Sequence, residues 1–265
     1  MTVFQPLYSG SSGNCSLVTN DLCGHGGALL IDAGVSCRAI LEGLSQAQVQ
    51  PCQLSGILIT HEHSDHIKGL RVFAKRFRTP VYASPEVLAY LQQENYLPED
   101  YPAFALSEPA EISGMLVSPF DTPHDSVHSL GFRIDTAQGK SIGIATDLGT
   151  VTESVRAGLM GCDLAMVESN YDASMLECSS YPYYLKRRIR GNYGHLDNLR
   201  CAEELAELAK TGTRQFVLCH LSEENNLPEL ALQTVYGRLA QDGISAGDFR
   251  LQAACRQLPS PQMVL

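Results

Sequence analysis

Between Thr60 and His66 the chain reads Thr-His-Glu-His-Ser-Asp-His, three imidazoles and two carboxylates within seven residues. On an extended segment His61 and His63 project to the same side, so both can grip one cation, while Asp65 and His66 at the following turn face a neighbouring point. One stretch can therefore begin two metal sites. Imidazole nitrogen with carboxylate oxygen suits zinc, manganese or iron, and a pair of such ions can activate water and clamp a phosphoryl or carbonyl oxygen. A run of solvated loop histidines is the plain alternative, but ordinary surfaces seldom set four such groups beside a buried strand.

The elements that must position this cluster are readable around it. Leu54 to Thr60 is short, apolar and rich in branched side chains, which predicts a buried strand running into the cluster. After it, Ile67 to Phe77 places Leu70, Phe73 and Phe77 at helical spacing, the stripe of a helix packed on a sheet. Met115 to Phe120 and Ser129 to Ile134 read as strands flanking Asp121 to Asp125, with His124 and His128 both near the junction. Ser141 to Asp147 is an apolar strand ending in an acid, and Leu164 to Asn170 repeats the design with Glu168; such carboxylates can equally cap helices. Gln215 to His220 is the last buried strand.

The rest of the chain fits an α/β pattern. Phe4 to Tyr8 reads as a strand leading into Ser9-Gly10-Ser11-Ser12-Gly13-Asn14-Cys15, whose amides and hydroxyls can line a site or form a plain turn. Ser16 to Thr19 and Ala28 to Asp32 pair most simply as a hairpin across the turn-prone Asn20 to Gly27. Ser36 caps a helix over 37–44, Pro80 to Ala83 is a strand, and Ser84 with Pro85 opens a helix over 85–91. Asn95 to Pro109 reads as irregular, Asp197 caps a helix over 198–210, Pro228 opens another to about Leu239, and Phe249 to Ala254 adds an edge strand. Tyrosines 171, 181, 183, 184 and 193 surround Lys186-Arg187-Arg188-Ile189-Arg190; that basic run is either a solvated helix face or a phosphate-contacting patch, and the tyrosines suit stacked bases or a packed lid.

With 265 residues, 44% hydrophobic and 18% charged, the chain can build one large core, and a single domain over 1–265 is expected. The formal charge of -10 gives no global positive field toward nucleic acid or anionic membranes. No window is long and apolar enough to span a bilayer, and Met1 to Pro6 lacks a basic start and an apolar signal core, so a soluble cytoplasmic protein is expected. Nine cysteines without a CxxC pair fit reduced thiols, and Cys23-Gly24-His25 offers too few ligands for a metal.

The HxHxDH string of His61, His63, Asp65 and His66 resembles the signature of the metallo-β-lactamase-fold hydrolases, and the further ligands of that pattern occur in order downstream. By resemblance, His61, His63 and His124 hold one divalent ion, Asp65, His66 and His220 hold a second, and Asp147 bridges them; zinc is the first choice, with manganese or iron as alternatives. The resemblance prefers His124 to His128 and gives Asp32 a supporting role. It implies a four-layer αββα sandwich of two facing mixed sheets with the metals at one edge.

Within that superfamily, Gly10 to Cys15, Val167 to Asp172, Gly194 to Asn198 and Cys219 to Asn226 look like the YycJ/WalJ/VicX-type proteins, which are associated with exonuclease-like phosphodiesterase activity on DNA. The sequence between Asp147 and His220 is too short for the extra domain of β-CASP nucleases. The implied reaction is phosphodiester hydrolysis, with a metal-bound hydroxide oriented by Asp65 and with His195 assisting the leaving oxygen. Ser11, Ser12, Asn14, Asn170, Lys186 and Arg187 are the substrate-facing candidates, and Glu168 and Asn170 are expected to orient ligand histidines. A small-molecule phosphodiesterase, such as one for cyclic nucleotides, and a thioester or lactam hydrolase are the alternatives on the same fold. A di-iron oxidoreductase would carry a carboxylate where His63 stands.

Overall fold

The structure is a computed structural model describing residues 1–20 and 27–265. The first half supplies β1 (Val3–Tyr8), β2 (Cys15–Thr19), β3 (Ala28–Ile31), α1 (Cys37–Gln46), β4 (Leu54–Leu58), α2 (Ser64–Ile67), α3 (Leu70–Phe77), β5 (Val81–Ala83), α4 (Pro85–Gln93) and β6 (Ala103–Ala105). There follow β7 (Ala110–Ile112), β8 (Met115–Asp121), β9 (Leu130–Thr136), β10 (Ser141–Ala145), α5 (Glu153–Leu159), β11 (Leu164–Glu168), α6 (Ala173–Cys178), α7 (Tyr183–Ile189) and α8 (Asn198–Lys210). The chain closes with β12 (Gln215–Cys219), α9 (Pro228–Gln241), β13 (Arg250–Ala253) and β14 (Met263–Val264).

Two seven-stranded mixed sheets result, ordered β14-β1-β2-β3-β4-β5-β6 and β13-β12-β11-β10-β9-β8-β7. Strands 1, 2, 3 and 11 are buried along their whole length because both faces are covered, and β3 and β11 accordingly read as near-continuous apolar runs. Between the sheets pack Phe4, Leu29, Ile31, Phe132, Ile142 and Val217. Outside the first sheet, Leu30, Ile57, Ile40, Phe73 and Leu91 form a second core with α1, α3 and α4. Val155, Leu205, Phe216 and Val235 form a third under α5, α8 and α9. Helix, sheet, sheet, helix is thus the layering, the αββα sandwich that the resemblance implies. Among the described residues no helix is long and apolar enough to cross a membrane.

Local signals hold where capping chemistry set them: the side chains of Ser36, Ser84 and Asp197 accept from the first-turn amides of α1, α4 and α8. Three expectations need correction. The helix expected over 67–77 is broken into α2 and α3 at Gly69, whose N–H donates to the Ala33 carbonyl at 2.8 Å and whose missing Cβ would stand 2.0 Å from the Val35 carbonyl oxygen. Asp65 and His66 accordingly sit on a helical first turn instead of a loop. Within the supposedly irregular 95–109, Ala103–Ala105 adds a parallel edge strand to β5. The tyrosine-rich segment contains two short helices, α6 and α7, and the basic run lies on α7, in keeping with the helix-face reading. β2 and β3 pair antiparallel as expected, while most of their turn, with Cys23, Gly24 and His25, lies outside the described residues.

Candidate metal centre

Parallel β10, β11 and β12 all deliver their carboxyl ends to one edge of the second sheet, and parallel β3 and β4 do the same for the first. Chemistry-bearing residues gather there because strand ends leave the sheet's hydrogen-bond ladder and free their side chains for a crevice. Asp32 follows β3, His61 and His63 follow β4, Asp147 follows β10, Glu168 ends β11 and His220 follows β12. Three of these, Asp32, Asp147 and His220, have backbone φ of 61°, 52° and 52°, in the left-handed region that non-glycine residues avoid. Such strain persists only where surrounding bonds over-determine it, and it concentrates at functional sites.

The side chains converge into overlapping groups whose donor atoms lie within 4.8 Å of one another: His61, His63 and His124; Asp65, His66 and His220; and His61, His66 and Asp147. Asp147 stands between the first two, with Oδ2 3.1 Å from His66 Nε2 and Oδ1 3.0 Å from His220 Nδ1 and 3.7 Å from His124 Nε2. His124 Nε2 is 3.3 Å from His63 Nδ1. His128 lies elsewhere, between Glu86 and Asp121 at 2.9 Å from each.

Several of the imidazoles are aimed by a partner behind them. Asp32 accepts from the Thr60 amide (2.8 Å) and Thr60 hydroxyl, and also from His66 Nδ1 at 2.7 Å, which turns the lone pair on His66 Nε2 toward the centre. His124 Nδ1 donates to the Gly194 carbonyl at 3.1 Å. Glu168 is the hub: its Oε1 accepts from His195 Nδ1 (2.8 Å) and His220 Nδ1 (2.9 Å), and its Oε2 from the Leu148 and Leu196 amides (3.0 and 3.1 Å). Burial pushes the Glu168 carboxyl up, but His195 and His220 bring it below its ordinary value, so it is ionised and can only accept.

The donor set fits divalent metal ions. His61 Nε2 and His220 Nε2 are buried side-chain atoms with no hydrogen-bond partner, although a buried polar group left unpaired costs about 1–3 kcal/mol. Burial lowers His61 and His124 below the usual imidazole range, leaving them neutral as metal ligation requires. Asp147 is raised by burial, yet His220 and His66 drive it well below the carboxylate range. Nitrogen and carboxylate oxygen donors in these groups suit a divalent cation.

Above the centre opens a pocket of about 260 Å³, lined in part by Ser11, Asp65, Asn170, Arg188, His195 and Ser222. His195 contributes a side chain that is 23% exposed. Of the other sequence candidates, Asn170 also donates from Nδ2 to the His220 carbonyl at 2.8 Å. Asn14 is buried, its amide bonded to the Gly10 backbone and 3.0 Å from His66 Nε2. Ser12, Lys186 and Arg187 are not among the pocket-lining residues; Lys186 Nζ donates to the Glu177 carbonyl. Sequence reasoning did not single out the Arg188–Asp125 ion pair at the pocket wall, because one arginine in a run of four cations carries no mark of its own. The hub role of Glu168 was signalled only by its position after the apolar strand Leu164 to Val167.

A family model described as the β-lactamase superfamily domain matches residues 28–221. An exodeoxyribonuclease YycJ of Bacillus anthracis is 33% identical over 247 residues, 92% of this chain and 92% of its own. An exodeoxyribonuclease WalJ of Streptococcus pneumoniae serotype 2 is 33% identical over 250 residues, 92% of this chain and 91% of its own. The crystal structure of the metallo-β-lactamase fold protein YhfI from Bacillus subtilis superposes with a TM-score of 0.70 at 16% identity, covering 98% of this chain and 99% of that one.

Proposed function

This chain belongs to the β-lactamase superfamily, and on that premise we propose that it is a metal-dependent phosphodiesterase that removes nucleotides from a DNA end. On this reading residues 1–265 act as one domain. His61, His63 and His124 would hold one divalent ion, Asp65, His66 and His220 a second, and Asp147 both, with zinc the first choice and manganese or iron compatible with the same donors. Ions bound there supply Lewis acidity toward a phosphoryl oxygen and acidify water.

What the chain itself contributes is orientation and proton transfer. Asp65, whose side chain is 21% exposed at the pocket floor, orients the attacking water. Glu168 fixes the proton of His195 on Nδ1, so Nε2 is left to the pocket, and it also favours the charged imidazolium: burial opposes that charge, but Glu168 raises the His195 pKa above its ordinary value. A proton at His195 Nε2 can then pass to the departing oxygen.

The observation that carries this reading is a histidine outside the proposed ligand set, locked by a buried carboxylate and opening on the same pocket as the ligand cluster. His195→Ala is expected to leave metal content unchanged and lower kcat by about 10²–10⁴-fold on DNA and on bis(p-nitrophenyl) phosphate. Turnover equal to wild type would remove His195 from the reaction. Faster hydrolysis of a thioester or a cyclic nucleotide than of DNA would overturn the substrate assignment.

A further inference from the structure

The substrate must present itself to the pocket in a particular form. Three of the candidate ligands at its floor are deeply buried, Asp147 at 1%, His220 at 2% and His124 at 8% exposure. The space above them, about 260 Å³, lies below the roughly 300–1,000 Å³ of pockets for drug-sized ligands. A phosphodiester must therefore be led down to the cluster from the rim.

Helix α7 forms one wall, and its two faces differ. Leu185, Arg188 and Ile189 line the pocket. Tyr183, Tyr184 and Arg187 share the other side at three- and four-residue spacing. Four tyrosines are exposed among the described residues, and three lie here: Tyr183 at 80%, Tyr184 at 73% and Tyr193 at 65%. The neighbouring cations are engaged, Arg188 by Asp125, Arg190 by Glu177 and Lys186 by the Glu177 carbonyl. Arg187 has no carboxylate partner among the described residues.

The segment is also fixed against the site. The Tyr193 carbonyl accepts from the Asp125 amide at 3.0 Å, and the His195 amide donates to the Ile189 carbonyl at 2.9 Å. A Cβ on Gly149, two residues after Asp147, would meet the Asn192 carbonyl carbon at 2.3 Å, so this turn sits directly on the loop that carries the acid. A backbone fixed in this way lowers the cost of ordering this face on binding.

We propose that this side of α7, with Tyr193 at the rim, is a landing platform for single-stranded DNA. Tyr184 and Tyr193 stack on the bases behind the nucleotide in the pocket, and Tyr183 with Arg187 carries the strand onward. Every base has a π-face, so such stacking tolerates any sequence, and the guanidinium supplies charge complementarity to phosphate in a chain of net charge -10. The inference rests on the DNA phosphodiesterase reading and narrows its substrate.

The test measures binding by fluorescence anisotropy, using metal-loaded protein with a hydrolysis-resistant phosphorothioate oligo(dT) and a blunt hairpin duplex of the same linkage. Stacking worth about 1–3 kcal/mol per base predicts that Tyr183→Ala/Tyr184→Ala weakens oligo(dT) binding roughly 10-fold or more. Tyr184→Phe should stay near wild type and Arg187→Gln should flatten the salt dependence. Thermal midpoints within about 1 °C of wild type confirm that these exposed substitutions leave the fold intact. An oligo(dT) Kd unchanged in the double variant, or equal losses for oligo(dT) and duplex, overturns the platform. So does a wild-type dimer in sedimentation that the double variant dissolves, which would assign the face to a second copy. Failure of the parent reading registers separately, as wild-type holo-protein that hydrolyses no DNA of either form.

Discussion

Glu168→Gln isolates the hub from the ligands it serves. The carboxylate makes four hydrogen bonds as an acceptor, two from imidazole Nδ1 atoms and two from backbone amides. A carboxamide of nearly the same shape can satisfy only one pair. Whichever way it turns, its NH2 faces two other donors. Two bonds to an ionised group at about 1.5–3 kcal/mol each set the loss at roughly 3–6 kcal/mol. Part of it falls on metal binding, since partners that orient a ligand histidine are worth about 10–100-fold in affinity. Zinc competition against a chromophoric chelator reads that share, and calorimetric unfolding of the apo-protein reads the rest. Turnover at saturating zinc should remain depressed, because His195 loses the charge that favours its protonated form. Zinc affinity within about threefold of wild type, together with an unshifted midpoint, would refute the hub argument.

Three further outcomes are expected. Gly34→Ala puts a Cβ 1.6 Å from the Asp65 carbonyl oxygen and 2.7 Å from the Asn14 amide, so it should cost roughly 4 kcal/mol or more in denaturant unfolding and weaken metal uptake; a neutral result would sink the packing account. His128 ties Glu86 at the start of α4 to Asp121 at the end of β8; burial lowers its pKa, but those carboxylates raise it above the ordinary 6.5. Stability from this bridge is therefore full below that value and lost as pH rises through the raised one, so the midpoint gap between wild type and His128→Leu should be widest in mild acid and close at alkaline pH. Chelation should lower the thermal midpoint, and added zinc should restore it in a concentration-dependent way, by about 2.7 kcal/mol at a hundredfold excess over Kd; a midpoint indifferent to metal would argue against the centre.

Much of this architecture was legible because strands buried on both faces leave long apolar runs, and a histidine or acid directly after such a run stands out. His61, Asp147 and His220 stand at such ends, but it is the resemblance that ranks them as ligands. The break at Gly69 was hidden because the apolar stripe that marks the helix, Leu70, Phe73 and Phe77, begins only after it, and its cause is a distant backbone, Ala33 to Val35. β6 and β14 escaped notice as short edge strands of three and two residues. α7 has seven residues, none of them buried, so no apolar stripe announces it. The two-sided grip of Glu168 joins residues 20–52 positions apart, which no local pattern records.

The left-handed backbone at Asp32, Asp147 and His220 bears on how this sequence drifts. Glycine adopts that conformation freely, whereas an ordinary residue pays about 1 kcal/mol or more to hold it. At these positions the change that best relaxes the main chain is the one that deletes the chemistry. Glycine at any of the three would thus ease the backbone while taking a polar side chain away from the centre.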